Sequence, residues 1–451
     1  MDVDDSANFR RVATLPEYDL FDLPSIQGSV ERDILSIHRP LTTLDSKSII
    51  EYVIPTAEDE FIQLRDTLFY LRFVVTLKKA NGTNGDDTDY AALGHTNNLL
   101  HSMFKQIDME INGKKLTVAS QTYPYLAFLQ TLTGFTTDAE KSYLSSSGWV
   151  DNDNSESIVT NARKTLLEDK TELVGTVTHS TSPRVVELMG KLHFDMAMQG
   201  RALLGGATLK ITLIPNEPAF YIKYALNIGC TPHVEFTSAL LYIRRSKVSP
   251  ALLEGLHVAL ADKTARYPIV RHEIKSYVVP SNTFNAYIPN IINGKLPRRA
   301  LVAMVDNSAF SGHLREHPFN FKHNNATFIA MNINGIQYPN VAYEPDYSEK
   351  KYLREYMGLF EAYNQLTTDA TINVTRYQYP KGYNIYAFNF TPDGSEGALK
   401  TGYTNPISEG NMSLTIRFKS QLQKTINIIV FMEFDSLVQI DKNLNAFTDF
   451  V

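Results

Sequence analysis

The densest group of chemically versatile side chains in this 451-residue sequence is a run of three imidazoles. His313, His317 and His323 stand in Gly-His-Leu-Arg-Glu-His-Pro-Phe-Asn-Phe-Lys-His. Two imidazoles four residues apart share one helix face and could hold a metal ion. Gly312 and Pro318 argue for a loop instead, and no acidic or Cys partner follows at a metal-site spacing. Local hydrogen bonding is therefore expected. Asp306 beside Asn307, and Asp59 beside Glu60, are the candidate acid pairs. Glycoside hydrolysis needs two carboxyls facing each other across a cleft, whereas adjacent charges in loops are usually solvated. Arg244-Arg245-Ser246-Lys247 and Lys295 with Arg298-Arg299 are small basic patches, able to touch phosphates or a neighbouring subunit. Solvated strand ends are the ordinary reading of such patches.

Cys230 is the only cysteine. It excludes a disulfide or Cys-based zinc site within one chain, and it is expected to be a small buried or boundary residue. There is no P-loop, H-E-x-x-H, G-x-S-x-G or Rossmann glycine pattern. No catalytic, cofactor-binding or metal-binding residue is assigned on these grounds, and no cofactor is expected. The chain reads as an interaction or structural protein and not as an enzyme.

The bulk numbers agree. Hydrophobic residues make up 43% and charged residues 20%, enough for more than one core. Tyr and Phe number 24 each, which favours strands over helical bundles. A net charge of −6 lacks the basic footprint of a nucleic-acid binder, so no specific nucleic-acid site is expected. Met1 to Ser6 is acidic, unlike a secretory signal, and no run of about twenty apolar residues suggests a transmembrane helix. A soluble chain made in a reducing compartment is expected.

The elements follow from hydrophobic period. Residues 1–18 read as a flexible polar arm. Ile49 to Ile54 is a strand ended by Pro55. Phe69, Leu71, Phe73, Val75 and Leu77 alternate with Tyr70, Arg72, Val74, Thr76 and Lys78, as in a sheet with one buried side. Asn81 to Asp89 reads as an exposed, mobile loop. Tyr125, Phe128, Leu129 and Leu132 mark a short helix, and residues 145–182 a polar excursion. Leu209 to Leu213 is another strand. Val234 to Phe236 and Leu240 to Ile243 begin a second series. Ser249-Pro250 starts a helix with Ser as cap and a Leu253, Leu256, Leu260 stripe. Ile274 to Val279, Ala300 to Val305 and Phe328 to Ile333 are strands. A helix after Ser348 carries Leu353, Tyr356, Met357 and Phe360. Two final strands run through Leu414 to Phe418 and Ile428 to Phe434.

One unit is repeated. Met109-Glu110-Ile111-Asn112-Gly113 returns as Met331-Asn332-Ile333-Asn334-Gly335, and Asn-Gly between strand-like runs signals a tight hairpin. A Tyr-Pro pair follows each copy (Tyr123-Pro124, Tyr338-Pro339), then an aromatic helix, a polar excursion, a Gly-rich stretch (Gly200 to Gly206, Gly394 to Gly410) and an alternating strand. Short strands with long loops suit jelly-roll sandwiches.

Several stretches also resemble a known family. They are Leu20-Phe21-Asp22-Leu23-Pro24 with Ser29-Val30-Glu31; Ser102-Met103-Phe104-Lys105-Gln106-Ile107-Asp108 with Ile111-Asn112-Gly113-Lys114; and Thr122-Tyr123-Pro124-Tyr125. Gly190-Lys191-Leu192-His193, Lys295-Leu296-Pro297-Arg298-Arg299, Val305-Asp306-Asn307-Ser308-Ala309-Phe310 and Pro318-Phe319-Asn320-Phe321-Lys322-His323 complete the series. Together, from about residue 19 to about residue 390, they resemble the capsid proteins of Polinton (Maverick) elements and the related adintoviruses. The resemblance implies an all-β double jelly-roll major capsid protein that forms homotrimeric, pseudo-hexagonal capsomers. It also implies a virion location, neighbouring capsomers and a minor or penton protein as partners, and no catalytic residue. The expected division is an arm at 1–18, a first jelly roll at 19–230, a second at 231–440 and a tail at 441–451. A minor or vertex capsid role, or a carbohydrate-binding β-sandwich, is the alternative.

Overall fold

The computed structural model describes residues 26–86, 89–90, 92–118, 120–150, 183–224, 229–394 and 405–449. The arm expected at 1–18 and residues 151–182 of the polar excursion lie outside the described residues. Eight strands of the described first half build one sandwich: β1 (Val30–His38), β2 (Ile50–Ile54), β3 (Glu60–Lys79), β4 (Phe104–Ile111), β5 (Lys114–Lys115), β6 (Arg184–Gly190), β7 (Leu209–Pro215) and β8 (Cys230–Val248). Their sheets run β1-β8-β3-β6 and β2-β7-β4-β5. Eight more follow: β9 (Ala265–Val279), β10 (Asn285–Lys295), β11 (Arg299–Asp306), β12 (Ala326–Ile333), β13 (Ile336–Tyr343), β14 (Ile385–Asn389), β15 (Glu409–Phe418) and β16 (Ile426–Ile440). Their sheets run β9-β16-β11-β14 and β10-β15-β12-β13. The second order is the first with eight added to every strand. The fold is all-β, two tandem jelly rolls with short helices in the connections.

The alternation in β3 does what its period requires. Phe69, Leu71, Phe73, Val75 and Leu77 are all fully buried. They meet Ile50, Tyr52, Ile107, Met109, Ile211 and Leu213 of the facing sheet in the first core. At about 25 cal/mol per Å² of apolar surface, each such side chain contributes about 1.5–3 kcal/mol. Strand β16 is buried on both faces because it serves two cores. Ile428, Val430 and Met432 fill the interior of the second roll, while Ile429 and Phe431 point outward into a third cluster.

The two Asn-Gly turns are the same device. Asn112 and Gly113 have φ of 48° and 81°, and Asn334 and Gly335 have 51° and 83°. Such angles suit a two-residue hairpin loop. Each Asn also locks its hairpin to the next strand. Asn112 N–H donates to Thr208 O (2.9 Å) and its Oδ1 accepts from Thr208 N–H (2.7 Å). Asn334 repeats this with Asn411, at 3.0 and 2.9 Å.

Several expectations are corrected. The division at 230/231 falls inside the first roll, because β8 pairs along its length with β3 and also with β1. The changeover comes after Val248. The Tyr-Pro echo is not structural. Tyr123-Pro124 opens helix α1 (Tyr123–Gly134), whereas Tyr338-Pro339 lies inside β13. Helix α2 (Pro250–Asp262) joins the rolls, but the Ser249 side chain makes no cap bond; its backbone carbonyl accepts from Leu253 N–H at 3.0 Å. Within the stretch expected as a tail, Ala446–Thr448 (β17) pairs with β16 and Leu444 O accepts from Asn112 Nδ2 at 2.7 Å. The described part of the 81–89 loop is exposed at residues 81–84 and 86, as expected, but it is held at Gly85 and Asp89, which are buried, and Lys79 pairs with Asp86 and Asp89.

Helix α3 (Leu353–Ala362) is rotated from its expected stripe. Leu353 and Met357 are exposed, while Glu355, Gly358, Leu359 and Ala362 are buried. Gly358 sets that rotation. A Cβ there would sit 2.5 Å from Tyr343 Oη and 3.1 Å from Tyr343 Cζ, so the helix can lie on that ring only without one. Gly358→Ala is therefore expected to cost about 1–3 kcal/mol by overpacking, despite alanine's better helix propensity. A urea midpoint unchanged or raised in this variant would show that the helix shifts freely.

Candidate functional site

The residues singled out for chemistry are dispersed or neutralised. His313 Nδ1 accepts from Arg315 N–H (3.2 Å), and His323 Nδ1 accepts from Asn325 N–H (3.0 Å) while its ring stacks on Tyr347. His317 is buried elsewhere in the same loop. Among the described residues, no three His, Cys, Asp or Glu side chains are grouped to hold a metal. Asp306 is buried at the end of β11, with Lys322 at 2.9 Å and Lys424 at 3.5 Å. Glu316 lines the adjoining cavity of about 260 Å³ and pairs with the same Lys424. Burial pushes the Glu316 carboxyl up, but Ser308 and Lys424 outweigh it and hold it below its usual value. A general acid would need the opposite shift.

The Asp59-Glu60 pair and the Arg244–Lys247 patch satisfy each other. Lys247 meets Asp59 (3.1 Å), Arg245 meets Glu60 (2.9 Å) and Arg244 meets Asp33 (2.8 Å). Arg298 and Arg299 are not solvated strand ends. Both are buried against Glu433, at 2.9 and 3.1 Å, and Arg298 also meets Asp435 at 3.2 Å. The Arg299 guanidinium lies 3.9 Å from the Tyr363 ring centroid. Cys230 is buried, and burial followed by the nearby Asp89 carboxylate pushes its thiol up, away from thiolate.

Two features remain. The first is the seam between the rolls. Helix α1 of the first roll lies on the outer face of the second roll's β9-β16-β11-β14 sheet. Tyr125, Phe128, Leu129, Leu132 and Trp149 pack there with Leu301, Ala303, Val305, Phe319, Phe321 and Phe431. Phe128 stacks on Phe319 at 4.4 Å and on Trp149 at 5.3 Å. Beside this apolar patch runs a polar chain across the seam. His101 Nδ1 lies 2.8 Å from Tyr123 Oη, and Gln130 bridges His193 (2.8 Å) and His272 (2.9 Å). His272 Nδ1 also lies 2.7 Å from Asp195 Oδ1. Sequence reading did not single out His101 or His272 at all. Their spacing carries no signal, and His193 entered only within a resembling stretch.

The second feature is the rim of the sheets. Among the described residues, every exposed large apolar side chain in a strand lies in an edge strand. These are Leu35 and Ile37 in β1, Val53 in β2, Val185 in β6, Val278 in β9, Tyr287 in β10, Ile336 and Val341 in β13 and Phe447 in β17. Edges of monomeric sheets are usually blunted by charge. Edges left apolar suit contact with another chain.

No family model matches the sequence. An uncharacterized protein of Caenorhabditis elegans is 22% identical over 438 residues, covering 95% of this chain and 99% of that one. Among solved structures, a chain of the Sputnik virophage aligns at a TM-score of 0.64 with 12% identity, covering 98% of this chain and 93% of that chain. The mavirus major capsid protein aligns at 0.56 with 13% identity, covering 100% and 95%. The Faustovirus major capsid protein aligns at 0.51 with 10% identity, covering 93% and 92%. The repeated strand order and these end-to-end alignments make the chain a double jelly roll, the fold it shares with the major capsid proteins of mavirus and Faustovirus.

Proposed function

We propose that this chain is the major subunit of an icosahedral shell, of the Polinton (Maverick) and adintovirus capsid type. The observation that carries the reading is the doubling itself. Two rolls of one strand order in a chain give a trimer six similar lobes, a pseudo-hexagonal tile that packs without gaps. The apolar edge strands supply surface for contacts within and between such trimers. In this reading the protein resides in the virion capsid and its partners are copies of itself and a minor or penton protein at the vertices. It performs no catalytic step. A carbohydrate-cleaving sandwich finds its candidate acids already paired, Asp306 with Lys322, Asp59 with Lys247 and Glu60 with Arg245.

Light scattering on purified protein is expected to give about three times the 50.9 kDa chain mass, and electron microscopy a six-lobed outline or closed shells. A pentamer would move the assignment to a vertex protein. A monomer that persists at high concentration would defeat it.

A further inference from the structure

We propose that helix α3 docks on a second copy of this chain, against the outer face of that copy's β1-β8-β3-β6 sheet, and so repeats between chains the seam that α1 makes within one. This junction rests on the assembly reading and names the two surfaces that carry it.

The internal duplication supplies the template. Helices α1 and α3 hold the same place in their rolls, between the Asn-Gly hairpin and the strand that follows it, β6 or β14. Each carries an apolar stripe at one spacing: Tyr125, Phe128, Leu129 and Leu132 in α1, and Leu353, Tyr356, Met357 and Phe360 in α3. The first stripe is wholly buried, because it lies on the second roll. The second is not. Leu353 and Met357 are 45% and 44% exposed, and Tyr356 and Phe360 are half-buried. The side of α3 that its own roll covers is the opposite one, with Glu355, Gly358, Leu359 and Ala362.

The receiving face is duplicated too. In the second roll the row Ile274–Phe431–Leu301–Ala387 crosses β9, β16, β11 and β14, and all four side chains are buried in the cluster that α1 joins. The corresponding strands of the first roll are β1, β8, β3 and β6. Their outer face carries the rows Ile37–Tyr242–Leu68 and Leu240–Tyr70–Met189. Among the described residues these rows stay open: Ile37 is 56% exposed, Leu35 beside it 62%, and the other five are half-buried. Stripe and face are open in the same chain, so the chain does not join them to each other. A second copy can, because the buried seam already shows one such helix seated on one such sheet. The contact is head-to-tail, and three copies close it into a ring in which every roll offers its helix to the next roll's sheet.

Two double variants of the full chain test this. One carries Leu353→Glu with Met357→Glu on the helix, the other Leu35→Glu with Ile37→Glu on the sheet. All four side chains are exposed in the single chain, so each variant is expected to keep the wild-type urea midpoint. By light scattering each alone is expected at about the 50.9 kDa of one chain, against about three times that for the wild type. An equimolar mixture is expected at about twice the chain mass. One pairing there keeps an intact helix and an intact face, while the other sets glutamates against glutamates and stops the ring. A wild-type trimer that persists in either variant, or a mixture that stays monomeric, overturns the junction and leaves the shell reading standing. A monomeric wild type overturns both. A wild-type ring of another size that both variants dissolve keeps the junction and overturns the trimer. Should a glutamate pair unfold its roll, Met357→Ser or Ile37→Ser takes its place, with the trimer's dissociation constant expected to rise at least about tenfold. An unchanged constant overturns the junction.

Discussion

Phe128→Ala is expected to cost about 3–5 kcal/mol and to loosen the first roll from the second. Phe128 is fully buried, yet its contacts come from both halves of the chain. Phe319 stacks on it with ring planes 11° apart, and the edge of Phe321 meets it at 5.9 Å. Trp149, from the first roll, covers another side at 5.3 Å. Truncation removes the transfer energy of the ring and three aromatic pairs worth about 0.5–1.5 kcal/mol each, and it leaves a void where two rigid sandwiches cannot collapse together. Trp149 is the only tryptophan, so its emission reports this spot. The variant should show a red-shifted native spectrum and a lower urea midpoint by fluorescence. The loss should exceed that of Val258→Ala on the exposed face of α2, which should stay within about 0.5 kcal/mol. If Trp149 emission and the midpoint both match the wild type, α1 does not fasten the rolls.

What the sequence disclosed and what it hid divide along physical lines. Local periodicity was legible. The β3 alternation, the α1 spacing and both Asn-Gly turns are properties of a few adjacent residues, and each is where it was expected. Misreadings came where a local irregularity or a distant partner decided the outcome. Strand β8 is the clearest case. Its buried residues run Val234, Phe236, then Ala239, Leu241, Ile243, and the change of parity is a bulge between Phe236 and Ser238. A bulge breaks the period-two signal, so one long strand looked like two short ones and the first roll appeared to end too early. The tilt of α3 depended on Tyr343, ten residues upstream on another element. The basic pair Arg298-Arg299 looked exposed because its partner Glu433 lies over 130 residues away. The seam polar chain draws on His101, Gln130, His193 and His272, which nothing but the fold brings together.

Glu433→Ala is expected to be as costly as Phe128→Ala for an electrostatic reason. The carboxylate sits on the outer face of β16 and accepts from Arg298, Arg299 and Tyr363 Oη, the last at 2.9 Å. Removing it leaves two guanidiniums buried without that partner, which typically costs about 3–5 kcal/mol. The pair's net worth is a different quantity. Replacing Glu433, Arg298 and Arg299 together by apolar residues of similar volume is expected to be far milder than the single truncation, because the desolvation of all three charges is recovered. Acid distinguishes this network from the buried imidazoles of His101 and His193, which burial holds below their usual value. Burial alone would push the Glu433 carboxyl up, but Arg299 and then Arg298 pull it down to about 2 from a usual 4.5. Its contribution, about 3 kcal/mol by linkage, is present above pH 4.5 and is lost as pH falls through about 2. The histidine loss begins at higher pH. Glu433→Gln should therefore lower stability at neutral pH and flatten the stability curve below about pH 4.5, while leaving the decline that starts near pH 6.5 in place. Denaturant titrations across that range read both windows in one series. A Glu433→Gln curve parallel to the wild type below pH 4.5 would mean that another carboxylate carries the acid sensitivity of the second roll.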